Sequence, residues 1–395
     1  MRIGINALAL AGSVHGGART YLKGLVEALQ AVDRENQYWI FANDYSARVL
    51  QPVSANFRLV HLPLSAENRP RRVLTEQLSL PGYAERLQLD VLHSPMQLAP
   101  LRARCASVVT IHDLHYLYPE LARRWDLGRR LLYQVLVPRS VRRAARVIAV
   151  SRFTARDLTD KLQVAPSRIV AVYEGVDHAV FHNRADERQC AETRQRYGLG
   201  KDFALCVGGF GPHKNTETVG RAMDICRDKH GLDMQLVVAG TQSAFSPEWS
   251  SKIAAQSPNR RHYNFPGHVS PDSLACFYRM ARVFVFTSLF EGFGLPLLEA
   301  FACGCPVVCS NRAALPEVAG GAAFLVDPLN PEQIAAAIVK VCTTPGLRDQ
   351  LVSLGLRRAG EFSWERAASE TVAVYRLAAL EHERGRTNHR RAPGG

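Results

Sequence analysis

Twice along this chain, short apolar segments of strand length alternate with longer segments of helical character. That doubled alternation constrains the fold more than any other feature. In the first half, residues 2–5, 38–42, 57–62, 91–93, 108–112 and 147–150 read as strands. After a loop bearing Gly12, Gly16 and Gly17, residues 20–32 place Leu22, Leu25, Val26 and Leu29 on one helix face. The second half starts again with a strand at 203–207. The turn Gly208-Gly209-Phe210-Gly211 and a helix over 216–229 follow, and then strands at 235–239, 263–265, 283–287, 306–309 and 323–326. Strands that alternate with helices pair in parallel, with helices covering both faces. The expectation is an α/β chain of two doubly wound domains, 1–182 and 201–365, with the polar segment 183–200 as a linker or connecting helix. The basic stretch 381–395, ending Pro-Gly-Gly, reads as a disordered tail. An open parallel sheet binds ligands at the carboxyl ends of its strands, and two facing crevices would form an interdomain cleft.

Composition narrows the class of protein. The 395 residues are 47% hydrophobic and 22% charged, an ordinary globular balance. No apolar run approaches the roughly 18 residues that span a bilayer, and the N-terminus carries no charged-then-apolar leader, so a cytoplasmic location is expected. The nine cysteines are scattered through apolar stretches and read as reduced, buried thiols. Cys303, Cys305 and Cys309 cluster, but their spacing does not suit a zinc ribbon and no second pair matches them. The formal charge is +13, with 24 Lys and Arg against 15 Asp and Glu in residues 1–182, and 25 against 21 in the remainder. An excess concentrated in one half suits a polyanion, whether nucleic acid, anionic lipid or phosphorylated substrate.

The segment richest in chemistry is Phe284-Val285-Phe286-Thr287-Ser288-Leu289-Phe290-Glu291-Gly292-Phe293-Gly294-Leu295-Pro296-Leu297-Leu298-Glu299-Ala300. An all-apolar strand runs into a loop with Gly292 and Gly294. Pro296 suits the first position of a helix, where its missing N–H costs nothing. Gly294 and Leu295 then present free amides at a helix N-terminus, a ready anion site suited to a pyrophosphate. Two carboxylates so close to a phosphate site make sense if they accept hydrogen bonds from hydroxyls. A sugar nucleotide offers hydroxyls on both sides of its diphosphate. On this reading Glu299 holds a ribose diol and Glu291 the sugar, while the plainer alternative for Glu299 alone is a complement to the helix dipole. Ser288 either bonds a phosphate or caps a turn.

This segment resembles the Glu-x7-Glu motif of the retaining family-4 glycosyltransferases of GT-B fold, the group that includes sucrose and glycogen synthases. The resemblance extends to Gly16-Gly17, Thr110-Ile111-His112-Asp113, Ile148-Ala149-Val150-Ser151, Gly175-Val176-Asp177, the loop 208–215 and Gly304-Cys305-Pro306-Val307-Val308. It implies two facing Rossmann-like domains, with the acceptor bound by the N-terminal one and the nucleotide sugar by the C-terminal one. It also implies that 366–380 cross back as a helix onto the N-terminal domain. Position by position, it makes Glu299 the ribose ligand and Glu291 the acid on the donor sugar. Gly292, Phe293, Gly294 and Leu295 form the loop and amides at the diphosphate, and Lys214 is the base that neutralises it. Gly17 lets backbone approach the phosphates, and His112 lies near the reacting sugar carbons. Many members carry an arginine five residues before the lysine; here that donor-binding position is Gly209, and either His213 or Lys214 alone takes up the charge.

The resemblance further implies hexose transfer with retention and no cofactor or metal, because lysine and helix amides do the electrostatic work. Without it, His112, Asp113 and His115 suggest a metal set. The pattern is most similar to bacterial mannosyltransferases of O-antigen, lipopolysaccharide and exopolysaccharide assembly, which favours GDP-mannose and leaves UDP-glucose and dTDP-rhamnose open. Acceptors in such pathways are glycans or polyprenyl-diphosphate-linked sugars. Eight arginines between positions 123 and 146 (Arg123, Arg124, Arg129, Arg130, Arg139, Arg142, Arg143, Arg146), interleaved with Trp125, Tyr133 and leucines, read as a surface helix or as a peripheral contact with an anionic membrane. Nucleic acid is not an expected partner. The alternatives are a nucleotide-sugar 2-epimerase of the same fold and a non-enzymatic polyanion-binding protein.

Overall fold

A computed structural model describes residues 1–11, 16–122, 127–184, 186–208, 211–240 and 259–391, without the side chains of 120, 122, 212, 260 and 386–391. Gly12, Gly209, Phe210, Arg123, Arg124 and Trp125, all singled out above, lie outside the described residues. The chain divides into two units, Met1–Gly175 with Trp364–Gly395, and Val176–Ser363.

The first unit is built on parallel strands β1 (Arg2–Asn6), β2 (Gln37–Ala42), β3 (Phe57–His61), β4 (Val91–Ser94), β5 (Ala106–Ile111), β6 (Arg146–Ala149) and β7 (Ile169–Ala171). Their order is β3-β2-β1-β4-β5-β6-β7. Ile3 pairs with Tyr38 on one side and Val91 on the other, and Val109 pairs with Val147. Every residue of β5 is buried, as a strand covered on both faces requires. The edge strand β7 has no counterpart in the sequence reading, because three residues, none of them buried, make too short a signal. Strand order reverses between β1 and β4, which makes their carboxyl ends the switch point.

The second unit repeats the plan with β8 (Phe203–Val207), β9 (Gln235–Ala239), β10 (Tyr263–Gly267), β11 (Val283–Phe286), β12 (Val307–Ser310) and β13 (Phe324–Val326), in the order β10-β9-β8-β11-β12-β13. Helices Thr216–His230 and Pro331–Thr343 close one face through Ala222, Met223, Ile334 and Ile338. The polar stretch read as a linker or connecting helix holds the helix Glu187–Tyr197, capped by Asp186, whose Tyr197 packs edge-on to Phe277 at 5.2 Å. Residues 176–182 belong here too, because Arg279 binds the carbonyls of Val180 and His182 at 3.2 and 2.7 Å.

The last helix, Trp364–Arg391, belongs to the first unit. Its Trp364 ring lies so close to Gly24 that a Cβ there would come within 2.4 Å of it, so only glycine lets these helices meet. Tyr375 bonds His93 on β4 at 2.7 Å. Composition alone placed disorder from Glu381 onward, yet the helix continues through Arg391. Glu381 pairs with Arg146, and His382 donates to the Arg104 carbonyl at 2.7 Å. All nine cysteines are free, seven of them buried.

Candidate active site

In the second unit, the loops after β8 and β11 meet at the switch point. Asn215 holds them together. It adopts φ +56° at the start of Thr216–His230, and its amide donates to the carbonyls of Thr287 (3.2 Å) and Pro328 (2.6 Å). Leu289 N–H donates to the His213 carbonyl at 2.7 Å. These bonds aim Lys214 across the switch point, where its Nζ sits 2.7 Å from Glu291 Oε1. Both side chains are mostly buried, at 17% and 16% exposed. Burial alone would raise the Glu291 pKa, but the charges of Lys214 and His213 overcome it and hold the carboxyl below its ordinary range.

Beyond Glu291 the chain turns through Gly292, Phe293 and Gly294 into the helix Leu295–Ala302. The helix begins at Leu295, one residue before the proline that the sequence reading placed first; Pro296 follows within its first turn, where no intrahelical N–H bond is lost. Gly294 adopts φ +111° and ψ +53°, and no side chain caps the helix and no acid occupies its first turn. The Phe286 ring joins the two loops: Lys214 Nζ lies 5.6 Å from its centroid, and a Cβ on Gly294 would come 3.4 Å from its edge. Phe293 packs edge-on to Phe362 at 5.9 Å, and Ser288 is buried at the strand end. Glu299, in the second turn, accepts a hydrogen bond from Tyr278 at 3.0 Å. Burial pushes its carboxyl up to about 7, against that hydrogen bond.

In the first unit, Gly16 at φ +105° starts the helix Gly17–Val32, again without a side-chain cap or an early acid. Gly17 is its exposed first residue. His112 stands one residue past β5, its Nε2 2.9 Å from the Pro95 carbonyl and its Nδ1 3.2 Å from Glu174 Oε1. Asp113 pairs with His115; burial would raise its pKa, but His115 and then His112 bring it down to about 2. With both ring nitrogens of His112 engaged elsewhere, the suggested metal set is not assembled, and among the described residues no three His, Cys, Asp or Glu groups are placed to hold a metal. Three residues escaped the sequence reading as partners of the site. Asn215 ends the quoted loop 208–215 and Glu174 adjoins the quoted Gly175-Val176-Asp177, but their contacts are tertiary, and nothing local marks Tyr278.

Two parallel, doubly wound domains, each with its candidate residues at the carboxyl ends of its strands, define the GT-B class of fold. The family model described as "Glycosyltransferase Family 4" matches residues 15–180, and that described as "Glycosyl transferases group 1" matches residues 191–357. The chain is 29% identical to an O-antigen chain mannosyltransferase B of Escherichia coli over 73% of this chain and 74% of that one. It is 32% identical to a D-inositol 3-phosphate glycosyltransferase of Acidothermus cellulolyticus, over 79% of this chain and 71% of the relative. A sucrose-phosphate synthase structure from Thermosynechococcus elongatus superposes with TM-score 0.75 at 21% identity, covering 95% of this chain and 98% of that one. The chain belongs to glycosyltransferase family 4.

Proposed function

We propose that this glycosyltransferase moves a hexose, with mannose from GDP-mannose favoured, from a nucleoside diphosphate to a glycan or polyprenyl-diphosphate-linked acceptor, with retention of configuration. The observation that carries the donor assignment is the Lys214–Glu291 pair beside the uncapped helix Leu295–Ala302, with Glu299 one turn further on. A diphosphate accepts from Lys214 and from the helix amides at Gly294 and Leu295. Glu291, released from Lys214, accepts from sugar hydroxyls, and Glu299 accepts from the ribose diol. Mannose is favoured by the likeness to the Escherichia coli mannosyltransferase.

The diphosphate leaves as its bond to the anomeric carbon breaks, and the acceptor oxygen bonds that carbon on the same face. The proton of the acceptor hydroxyl passes to the departing phosphate oxygen. Lys214 and the helix amides stabilise the charge that develops there, which is where preorganised donors lower a barrier most. The test is a thermal-shift screen of GDP-, UDP-, dTDP- and ADP-sugars followed by product analysis. A ligand at 100 times its Kd adds about 2.7 kcal/mol of stability. The expected result is stabilisation by GDP-mannose and a new glycoside of retained configuration. Lys214→Ala then lowers kcat about a hundredfold. Formation of an epimer from donor alone, or stabilisation by none of the four, overturns the proposal.

A further inference from the structure

His112 is enclosed by the Pro95 carbonyl, the Glu174 carboxyl and the Tyr21 ring. Its side chain is 14% exposed and that of Glu174 only 5%. The Pro95 carbonyl can only accept, so the Nε2 that faces it at 2.9 Å carries hydrogen. Glu174 in its ionised form also only accepts, and the Nδ1 that faces it at 3.2 Å then carries hydrogen too. A ring with hydrogen on both nitrogens is an imidazolium.

The ring is held from a third direction. Tyr21, from the helix Gly17–Val32, packs edge-on with centroids 4.7 Å apart and planes at 85°. Its hydroxyl is tied to Thr110 at 3.1 Å, Thr110 to His93 at 2.8 Å, and His93 to Tyr375 at 2.7 Å. The orientation of Tyr21 therefore depends on a buried chain reaching the C-terminal helix. The other titratable groups that face His112 are Asp113, engaged with His115, and His93 behind it on β4. Burial, and next the charge on His112, push His93 down to about 3, so it stays neutral and donates or accepts within the chain. Thr154 donates to the His112 carbonyl at 3.4 Å.

We infer that Glu174 is a positioning residue that fixes His112 as a charged, donor-only group in one orientation, so that its ring does not serve as a general base in transfer. The role in transfer rests on the reading of His112 as a site residue; the charge and orientation do not. Burial favours the neutral ring, yet Glu174 and then the Pro95 carbonyl raise the His112 pKa above the ordinary value. The charge is therefore fully present at low pH and is lost as pH rises through the raised midpoint.

The experiment is histidine-selective 15N labelling of the full chain, with the His112 signals assigned by their loss in His112→Gln. In the wild type both ring nitrogens titrate as protonated, with a midpoint above the ordinary value of about 6.5. Glu174→Gln lowers that midpoint at least tenfold in proton terms, and Glu174→Asp, which keeps the charge, restores most of it. The alkaline limb of kcat moves to lower pH in step in Glu174→Gln, while KM for the nucleotide sugar changes less than twofold. A Glu174 that merely pins the chain before the unit boundary would change the melting temperature and leave both profiles in place, which overturns the inference. An unchanged His112 midpoint in Glu174→Gln overturns it as well, and Glu174→Asp reports the same midpoint if the glutamine variant does not fold. Absence of turnover with every nucleotide sugar overturns the transferase role, and the titration then still decides the pair.

Discussion

Gly294 has two separate reasons to be glycine. Its φ of +111° lies where side chains are rarely tolerated, and a Cβ would meet Leu315 Cδ2 at 2.7 Å. A non-glycine residue forced into that region costs about 1–3 kcal/mol. Gly294→Ala is expected to lower stability by at least that range, measured by denaturant unfolding; a wild-type midpoint would show that the loop relaxes freely. Glu299 gives a prediction of a different kind. Burial raises its carboxyl to about 7. If it accepts from ribose hydroxyls, the empty protein must first lose that proton. Affinity for a bare nucleoside diphosphate then rises between pH 6 and pH 8, and Glu299→Gln flattens the profile. Calorimetry in matched buffers decides it, and a wild-type profile already flat removes Glu299 from the ribose role. Losing a charge-assisted hydrogen bond also costs roughly 1.5–3 kcal/mol, so Glu299→Ala weakens binding at pH 8 by about that much.

At the level of elements, strands were the most legible feature. Strands β8 and β11 are unbroken apolar runs, β9 is one after Gln235, and β5 is interrupted only by the small hydroxyl residues Ser107 and Thr110; a parallel sheet covered on both faces produces that pattern. The edge strand β7 and the first turn of the helix Gly17–Val32 were not legible, one being too short and the other holding no large apolar residue to register in hydrophobic periodicity. The candidate site divides in the same way. Lys214, Glu291 and Glu299 stand in recognisable local contexts, and two of the three meet directly at 2.7 Å. Asn215, Tyr278 and Glu174 act through residues 21 to 113 positions away, and no local pattern encodes such distances. On the donor reading proposed above, the uncapped N-termini of Gly17–Val32 and Leu295–Ala302 would offer amides to the diphosphate, the charge stabilisation that a metal could otherwise give. Activity is therefore expected to persist in EDTA at unchanged kcat. A strict requirement restored by manganese would return Asp113 and His115 to consideration as ligands.

Across the whole molecule, the charge of +13 is unevenly placed, with an excess of nine in residues 1–182 and four in the rest. No helix among the described residues is long and apolar enough to cross a membrane. If the proposed acceptor is lipid-linked, the enzyme has to reach the bilayer, and exposed residues of the first unit offer a place where it would do so. On the helix Leu127–Arg143, Leu127 is 71%, Leu131 51% and Val135 44% exposed, at a spacing that places them on one face. Leu74 and Leu78 are exposed on the helix Arg69–Arg86, whose Val73 joins Tyr133 and Leu136 in one core, so the two apolar faces belong to neighbouring helices. Arg129, Arg130, Arg139, Arg142 and Arg143 lie along the same helix as the first stripe. Apolar side chains flanked by arginines match the chemistry of an anionic interface. Each basic residue near such a surface contributes about 1 kcal/mol, and several acting together hold a protein reversibly. The attraction weakens with salt, because the Debye length is already only about 8 Å at physiological ionic strength. Co-sedimentation with anionic vesicles is therefore expected at low salt and lost at high salt. Changing Arg129, Arg130, Arg142 and Arg143 to glutamine removes the salt-dependent part, and Leu127→Gln with Leu131→Gln removes the remainder. Neutral vesicles should retain little protein at any salt. If wild type and both variants sediment alike, the helix Leu127–Arg143 is a solvated face and the acceptor reaches the enzyme from solution.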